Sequence, residues 1–157
     1  MLLALPIGML AAGTDWQSAT LLQQGSATGS LSPTVTVQWY KIVVPENGEA
    51  TIKVSASGDL ALDYTNLYAK DANNGLHSRG YCWRNGDFTV KSCAAGTYYI
   101  EVKHGGGSGS FSISYSFKAT SSSYSNDQEP NNDYQNAIKL TNKTPETGHL
   151  GYYNWDD

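Results

Sequence analysis

Charge is scarce in this chain. Only 15% of its 157 residues are Asp, Glu, Lys or Arg, and the formal net charge is −4. That leaves no basic footprint of the kind that neutralises nucleic-acid phosphates. Nor is there a polybasic segment to hold anionic lipid. Cysteine is scarce too: Cys82 and Cys93 are the two, and no CxxC spacing exists, which disfavours a thiolate metal or redox site. The three histidines are scattered in polar stretches, and no serine lies in a G-x-S-x-G elbow. No two carboxylates stand out as an acid and base couple. Gly105 to Gly107 form the wrong kind of loop for phosphate, since no helix pattern follows. The expectation is that this protein is not an enzyme.

Long hydrophobic runs are missing as well. The first thirteen residues, "MLLALPIGMLAAG", are apolar but interrupted by Pro6 and Gly8. They fall far short of the ~20 apolar residues of a membrane-spanning helix, so no membrane span is expected. Their small-residue end resembles the close of a secretory signal, yet no Lys or Arg precedes the apolar core. Three readings stay open for residues 1–13: a trimmed or atypical signal, an apolar strand packed on something, or a cloning remnant.

What the chain does have is Gly, Tyr and Trp, with 16, 11 and 4 residues, among many Ser and Thr. That composition points to short strands joined by tight turns, as in extracellular β-proteins. Strict alternation marks several half-buried strands. In "YYIEVKH", Tyr98, Ile100 and Val102 share one face, while Tyr99, Glu101 and Lys103 share the other. "SFSISYSF" sets Phe111, Ile113, Tyr115 and Phe117 against serines. "ATIKVSA" groups Ile52, Val54 and Ala56. "QWYKIVV" groups Tyr40, Ile42 and Val44 opposite Trp39, Lys41 and Val43. Turns at 45–49, 57–59, 71–75, 94–96 and 104–109 punctuate these runs, and no segment carries a capped helical period. The fold class expected is all-β, an antiparallel jelly-roll-like sandwich of seven or eight strands.

Asn85–Gly86, inside "CWRNGDFTVKSC", is a type I′ hairpin signal. A hairpin there sets Cys82 and Cys93 on facing arms, so a disulfide is expected. It would close a small ring worth roughly 2–3 kcal/mol and fit an oxidising compartment.

After Phe117 the composition changes to the polar "KATSSSYSNDQ", which reads as a linker. An echo follows. Asp15, Ala19 and Leu22 match Asp133, Ala137 and Leu140 at a constant offset of 118 residues. With one residue inserted, Gly29 and Leu31 match Gly148 and Leu150. This is the pattern of a tandem array. The expected layout is an apolar segment at 1–13, a sandwich domain at 14–118, a Ser-rich linker at 119–126 and a partial second repeat at 127–157.

The stretches "EPNNDYQNAIKL", "GTYYIEV" and "GSGSFSISYSF" together resemble the bacterial pre-peptidase C-terminal domain. The resemblance implies a jelly-roll-like sandwich found beside secreted proteases, acting as an accessory module. It also implies an extracellular or cell-surface location. Relatives in clostridial collagenases bind collagen and hold calcium near the equivalent linker, which makes Glu129, Asn131 and Asp133 candidate calcium ligands. Asx turns and a Pro-led strand entry explain the same residues without a metal, and no cofactor is expected. The first copy departs from the family where "AAGTD" replaces "EPNND".

Aromatic residues are the other candidates, because an exposed ring offers apolar area at little entropic cost. Tyr81 and Trp83, flanking Cys82, are singled out for ligand binding. Trp16 and Trp39 read as core or edge cover, and no cluster of aromatics forms an obvious binding face. Thirty residues that begin a sandwich cannot bury a core alone. Leu140, Leu150, Tyr152 and Trp155, with Leu2, Leu3, Leu5 and Ile7 as complement, are therefore assigned to assembly. Two functions follow. The first is a secreted structural subunit, self-associating by strand sharing into a filament or surface array. The alternative is an accessory module that binds extracellular polysaccharide or collagen.

Overall fold

The computed structural model describes residues 13–119, together with Gln135, Lys139, Thr141 and Asn142. The linker and partial repeat assigned to 119–157, and the apolar segment before Gly13, lie outside the described residues apart from these positions and Ala119. Nine strands form among the described residues: β1 (Thr20–Leu21), β2 (Gly25–Leu31), β3 (Val37–Val44), β4 (Gly48–Ala56), β5 (Ala61–Lys70), β6 (Leu76–Trp83), β7 (Gly86–Cys93), β8 (Gly96–Gly106) and β9 (Gly109–Ala119). They build two sheets, ordered β1-β3-β8-β5-β6 and β2-β9-β4-β7. All pairings are antiparallel except that of the short β1, which runs parallel to β3. Omitting β1, the orders are those of a jelly roll, with successive strands alternating between sheets except at β5 and β6, which pair side by side in one sheet. No helix long and apolar enough to cross a membrane occurs among the described residues.

The alternation read from the sequence decides which side chains meet between the sheets. Tyr40, Ile42 and Val44 of β3 and Tyr98, Ile100 and Val102 of β8 are buried, facing Ile52 and Val54 of β4 and Phe111, Ile113 and Tyr115 of β9. Ala56 and Phe117 are only partly buried, at the ends of their strands. Three core tyrosines keep their hydroxyls partnered, as burial demands. Tyr40 donates to Gln38 Oε1 at 3.1 Å, Tyr98 to the Ala94 carbonyl at 3.1 Å and Tyr115 to the Val43 carbonyl at 3.4 Å. Gln38 in turn donates Nε2 to the Ser30 carbonyl at 2.8 Å, tying β3 to β2 across the sandwich.

The segment from Cys82 to Cys93 corrects the hairpin expectation. β6 pairs with β5 in one sheet and β7 pairs with β4 in the other, so Arg84–Asn85 is a crossover between sheets. Arg84 takes a positive φ of 58°, and Asn85 Oδ1 accepts the Ala56 N–H at 2.8 Å, pinning the crossover onto β4. Both cysteines are free thiols, which overturns the expected disulfide. Cys82 lies beside Gly86, at the opposite end of β7 from Cys93. Seven strand steps separate those ends, roughly 23 Å at the usual rise. A disulfide requires Cα atoms within about 7 Å.

Candidate functional site: an aromatic face on the five-stranded sheet

The outward side of the five-stranded sheet is where the chain concentrates rings that the core did not take. Alternation in β5 sends Thr65, Leu67 and Ala69 inward, which leaves Tyr64, Asn66, Tyr68 and Lys70 facing out. The same parity puts Trp39 and Lys41 of β3, and Tyr99, Glu101 and Lys103 of β8, on that side. Register then sets them in rows. Trp39 lies opposite Glu101, Glu101 opposite Asn66, and Asn66 opposite Tyr81. One row along, Lys41, Tyr99, Tyr68 and Ser78 follow one another across four strands.

Rings meet along these rows and across their diagonals. Trp39 and Tyr68 approach with centroids 5.6 Å apart on either side of β8, and Trp16 meets Tyr99 edge to face at 5.3 Å. Lys70 Nζ lies 5.8 Å from the Trp16 centroid, within cation–π range. Trp16 is delivered by a turn before β1, in which Asp15 Oδ1 accepts the Ser18 N–H at 2.8 Å. Trp83 stands nearly perpendicular to both Tyr64, at 6.1 Å, and Tyr81, at 5.6 Å. Trp83 is 63% exposed and Tyr81 54%, so the two residues singled out from the sequence form the open end of a larger cluster. The expectation that no aromatic face exists is thereby overturned. β5 supplies the rings that join the two ends, Tyr64 and Tyr68, which only strand pairing brings beside Trp83 and Trp39.

At the centre sits Glu101, only 9% exposed. Its Oε2 accepts hydroxyl bonds from Tyr64 at 3.1 Å and Tyr68 at 2.9 Å. Burial, followed by the field of this carboxylate and its hydrogen bond, pushes the Tyr64 phenol up to about 12. The Tyr68 phenol is raised further, again by burial first and then by Glu101. Both hydroxyls are thus held as donors to Glu101, and the two rings are fixed in orientation. Ser78 donates to Asn66 Oδ1 at 2.7 Å, and the Asn66 side chain in turn acts on the Tyr68 hydroxyl, lowering its phenol pKa slightly against the effect of burial.

Beyond Trp83 the face runs into an open depression of about 630 Å³, lined by Ala61, Leu62, Asp63, Trp83, Arg84 and Gly105. A bulge in β5 makes it: Leu62 pairs with His104 but Thr65 with Val102, so one residue is extra at Asp63–Tyr64. Gly105 accommodates the bulge. A Cβ there would lie 2.8 Å from the Asp63 nitrogen and 2.9 Å from the Leu62 carbonyl carbon, closer than packed atoms approach. Arg84 donates its N–H to the Asp63 carbonyl at 3.1 Å, fixing the crossover to the bulge.

Other candidates supply less. Burial raises the thiol of Cys82, and that of Cys93 to about 11, so neither is an activated nucleophile. Among the described residues no group of His, Cys, Asp and Glu could hold a metal ion. Glu129, Asn131 and Asp133, and the assembly residues Leu2, Leu3, Leu5, Ile7, Leu140, Leu150, Tyr152 and Trp155, lie outside the described residues. The outer face of the four-stranded sheet offers a contrast. It is a lawn of hydroxyls, with Ser110, Ser112, Ser114 and Ser116 on β9 and a Thr51–Thr89 bond of 2.8 Å.

Comparison with solved structures supports the architecture. The periplasmic inhibitor of g-type lysozyme PliG from Aeromonas hydrophila aligns with a TM-score of 0.50 and 18% identity, over 63% of this chain and 95% of that one. The pre-peptidase C-terminal domain of collagenase from Bacillus anthracis aligns with a TM-score of 0.47 and 19% identity, over 61% and 90%. The first likeness shows a shared fold. No protein-family model and no curated protein matches the chain.

Proposed function

We propose that this domain is a secreted, non-catalytic recognition module that binds an extended polysaccharide along the outer face of its five-stranded sheet. The observation that carries this reading is the pair Tyr81 and Trp83, 54% and 63% exposed on an edge strand and continuous with Tyr64. A tryptophan left in water forgoes the ~2 kcal/mol that burying a large apolar side chain contributes. Contiguous exposed rings with polar groups between them mark contact surfaces. Sugar rings present apolar C–H faces and hydroxyl edges. Rings of Tyr and Trp match the faces, while Asn66, Ser78 and the surrounding charges match the edges.

The test is retention on insoluble glycans, with a collagen film in parallel because the family resemblance implies collagen. Trp83→Ala removes a contact hot spot of about 2 kcal/mol, which weakens retention roughly thirty-fold. The folded domain stays within about 1 kcal/mol of wild type, because so much of this side chain is exposed. Failure to bind any glycan, or equal retention of wild type and Trp83→Ala, ends this reading.

A structural role is the second reading, favoured by one observation. β6 and β7 each have a single neighbour among the described strands, which leaves two adjacent open edges. A strand from another copy added there gives a self-associating extracellular assembly. Sedimentation over a range of concentrations decides it: a lone monomer at every concentration excludes strand sharing.

A further inference from the structure

We infer that the polysaccharide is acidic, and that the depression beside Trp83 seats one carboxylated sugar, its ring on Trp83, its carboxylate on Arg84 and its hydroxyls on Asp63. This rests on the recognition reading above and adds the charge of the ligand and the place where it is read. Three observations carry it.

The first is conformational. Arg84 adopts a φ of 58°, which a long side chain rarely does and which Gly or Asn would adopt at less cost. The turn is nonetheless pinned on both sides, by the Asp63 carbonyl at 3.1 Å and by Asn85 on Ala56 at 2.8 Å. An arginine held in a strained, tethered turn beside a depression is a side chain kept for what it contacts.

The second is electrostatic. Asp63 and Arg84 line the same depression, yet among the described residues they form no ion pair with each other, and no hydrogen bond engages either side chain. Two opposite charges held apart over an open site complement a ligand carrying both an anion and donors. Lys103 on β8 emerges beside the bulge, opposite Val37, and adds a second cation to this end of the face. Of the other acids near this end, Glu101 is occupied by two phenol donors, and Asp87 on β7 lies close enough to act on Cys82.

The third is geometric fit. A guanidinium presents a planar fork that matches a carboxylate in a two-point hydrogen bond, which an ammonium cannot do. A free carboxylate accepts two neighbouring hydroxyls at once. Trp83 forms the apolar wall between them. A hexuronic acid ring carries these three features in one unit.

The experiment uses the whole chain in affinity gels containing polygalacturonate or its fully methyl-esterified form, which keeps the rings and removes the charge. The acid polymer is expected to bind at least ten-fold more tightly than the ester, with the difference shrinking as salt is raised. Arg84→Asn removes the guanidinium with a residue that tolerates positive φ, so the turn keeps its shape. It is expected to lose about ten-fold on the acid polymer and nothing on the ester, with a melting temperature no lower than wild type, since Asn relieves the strain of positive φ. Trp83→Ala is expected to lose affinity for both polymers. Equal binding of acid and ester, or no effect of Arg84→Asn, overturns the acidic subsite and leaves the aromatic face standing. Indifference of both polymers to Trp83→Ala overturns the recognition reading itself. Retardation by neither polymer overturns the inference too.

Discussion

Alkaline pH should unfold this domain through its tyrosines, and Tyr40 shows how strongly. Its ring is fully buried against Phe111, and burial raises its phenol from the ordinary 10.0 to about 12. A raised pKa means that the folded state keeps a proton that the unfolded chain releases. Stability from this group is therefore complete below pH 10 and is lost as pH climbs from 10 towards 12. The displacement corresponds to roughly 3 kcal/mol, to order of magnitude. Tyr98 and Tyr115, also buried, are raised in the same direction and for the same first reason. A domain of this size has about 5–15 kcal/mol in all. Buried tyrosines raised in this direction therefore offset a large part of that stability as pH rises. The assay follows tyrosinate absorbance and far-ultraviolet circular dichroism together through an alkaline titration. One cooperative transition between pH 10 and 12 is expected in both signals. Tyr40→Phe should cost about 1 kcal/mol at neutral pH, from the lost bond to Gln38, and move the transition to higher pH. If the buried tyrosines ionise near pH 10 with the fold intact, or if Tyr40→Phe leaves the transition where it was, the reasoning fails.

Two further outcomes are expected. Gly29→Ala should destabilise by about 1–3 kcal/mol through overpacking, because its Cβ would sit 2.5 Å from the Phe111 ring and 2.6 Å from the Tyr40 hydroxyl, against Gln38 as well; a thermal melt reads this. Unfolding in denaturant without reductant should expose two titratable thiols per chain, and reductant should leave the melting temperature unchanged; a chain lighter by two hydrogens in its mass spectrum contradicts the free-thiol structure.

The period-two pattern made much of this legible. Tyr98, Ile100 and Val102, or Phe111, Ile113 and Tyr115, could be placed in the core from the chain alone, because a strand admits only two faces and one must be dry. Tyr81 and Trp83 were legible as candidates because both rings flank Cys82, and for Trp83 the polar neighbours Arg84 and Asn85 argued against burial. The Cys82–Cys93 segment misled because Asn-Gly is a strong turn former whether the next strand returns to the same sheet or leaves for the other. Nothing local distinguishes the two. The aromatic face was hidden because its rings come from five separate stretches, around Trp16, Trp39, Tyr64, Tyr81 and Tyr99.

By itself, then, the sequence determined the fold class and the inward face of the main strands, since both follow from local alternation and turn chemistry. Strand order lay beyond it. Which strands become neighbours depends on long-range pairing, and only that pairing put Tyr64 and Tyr68 over Glu101, set Trp83 between two tyrosines and opened the depression at Asp63 and Arg84.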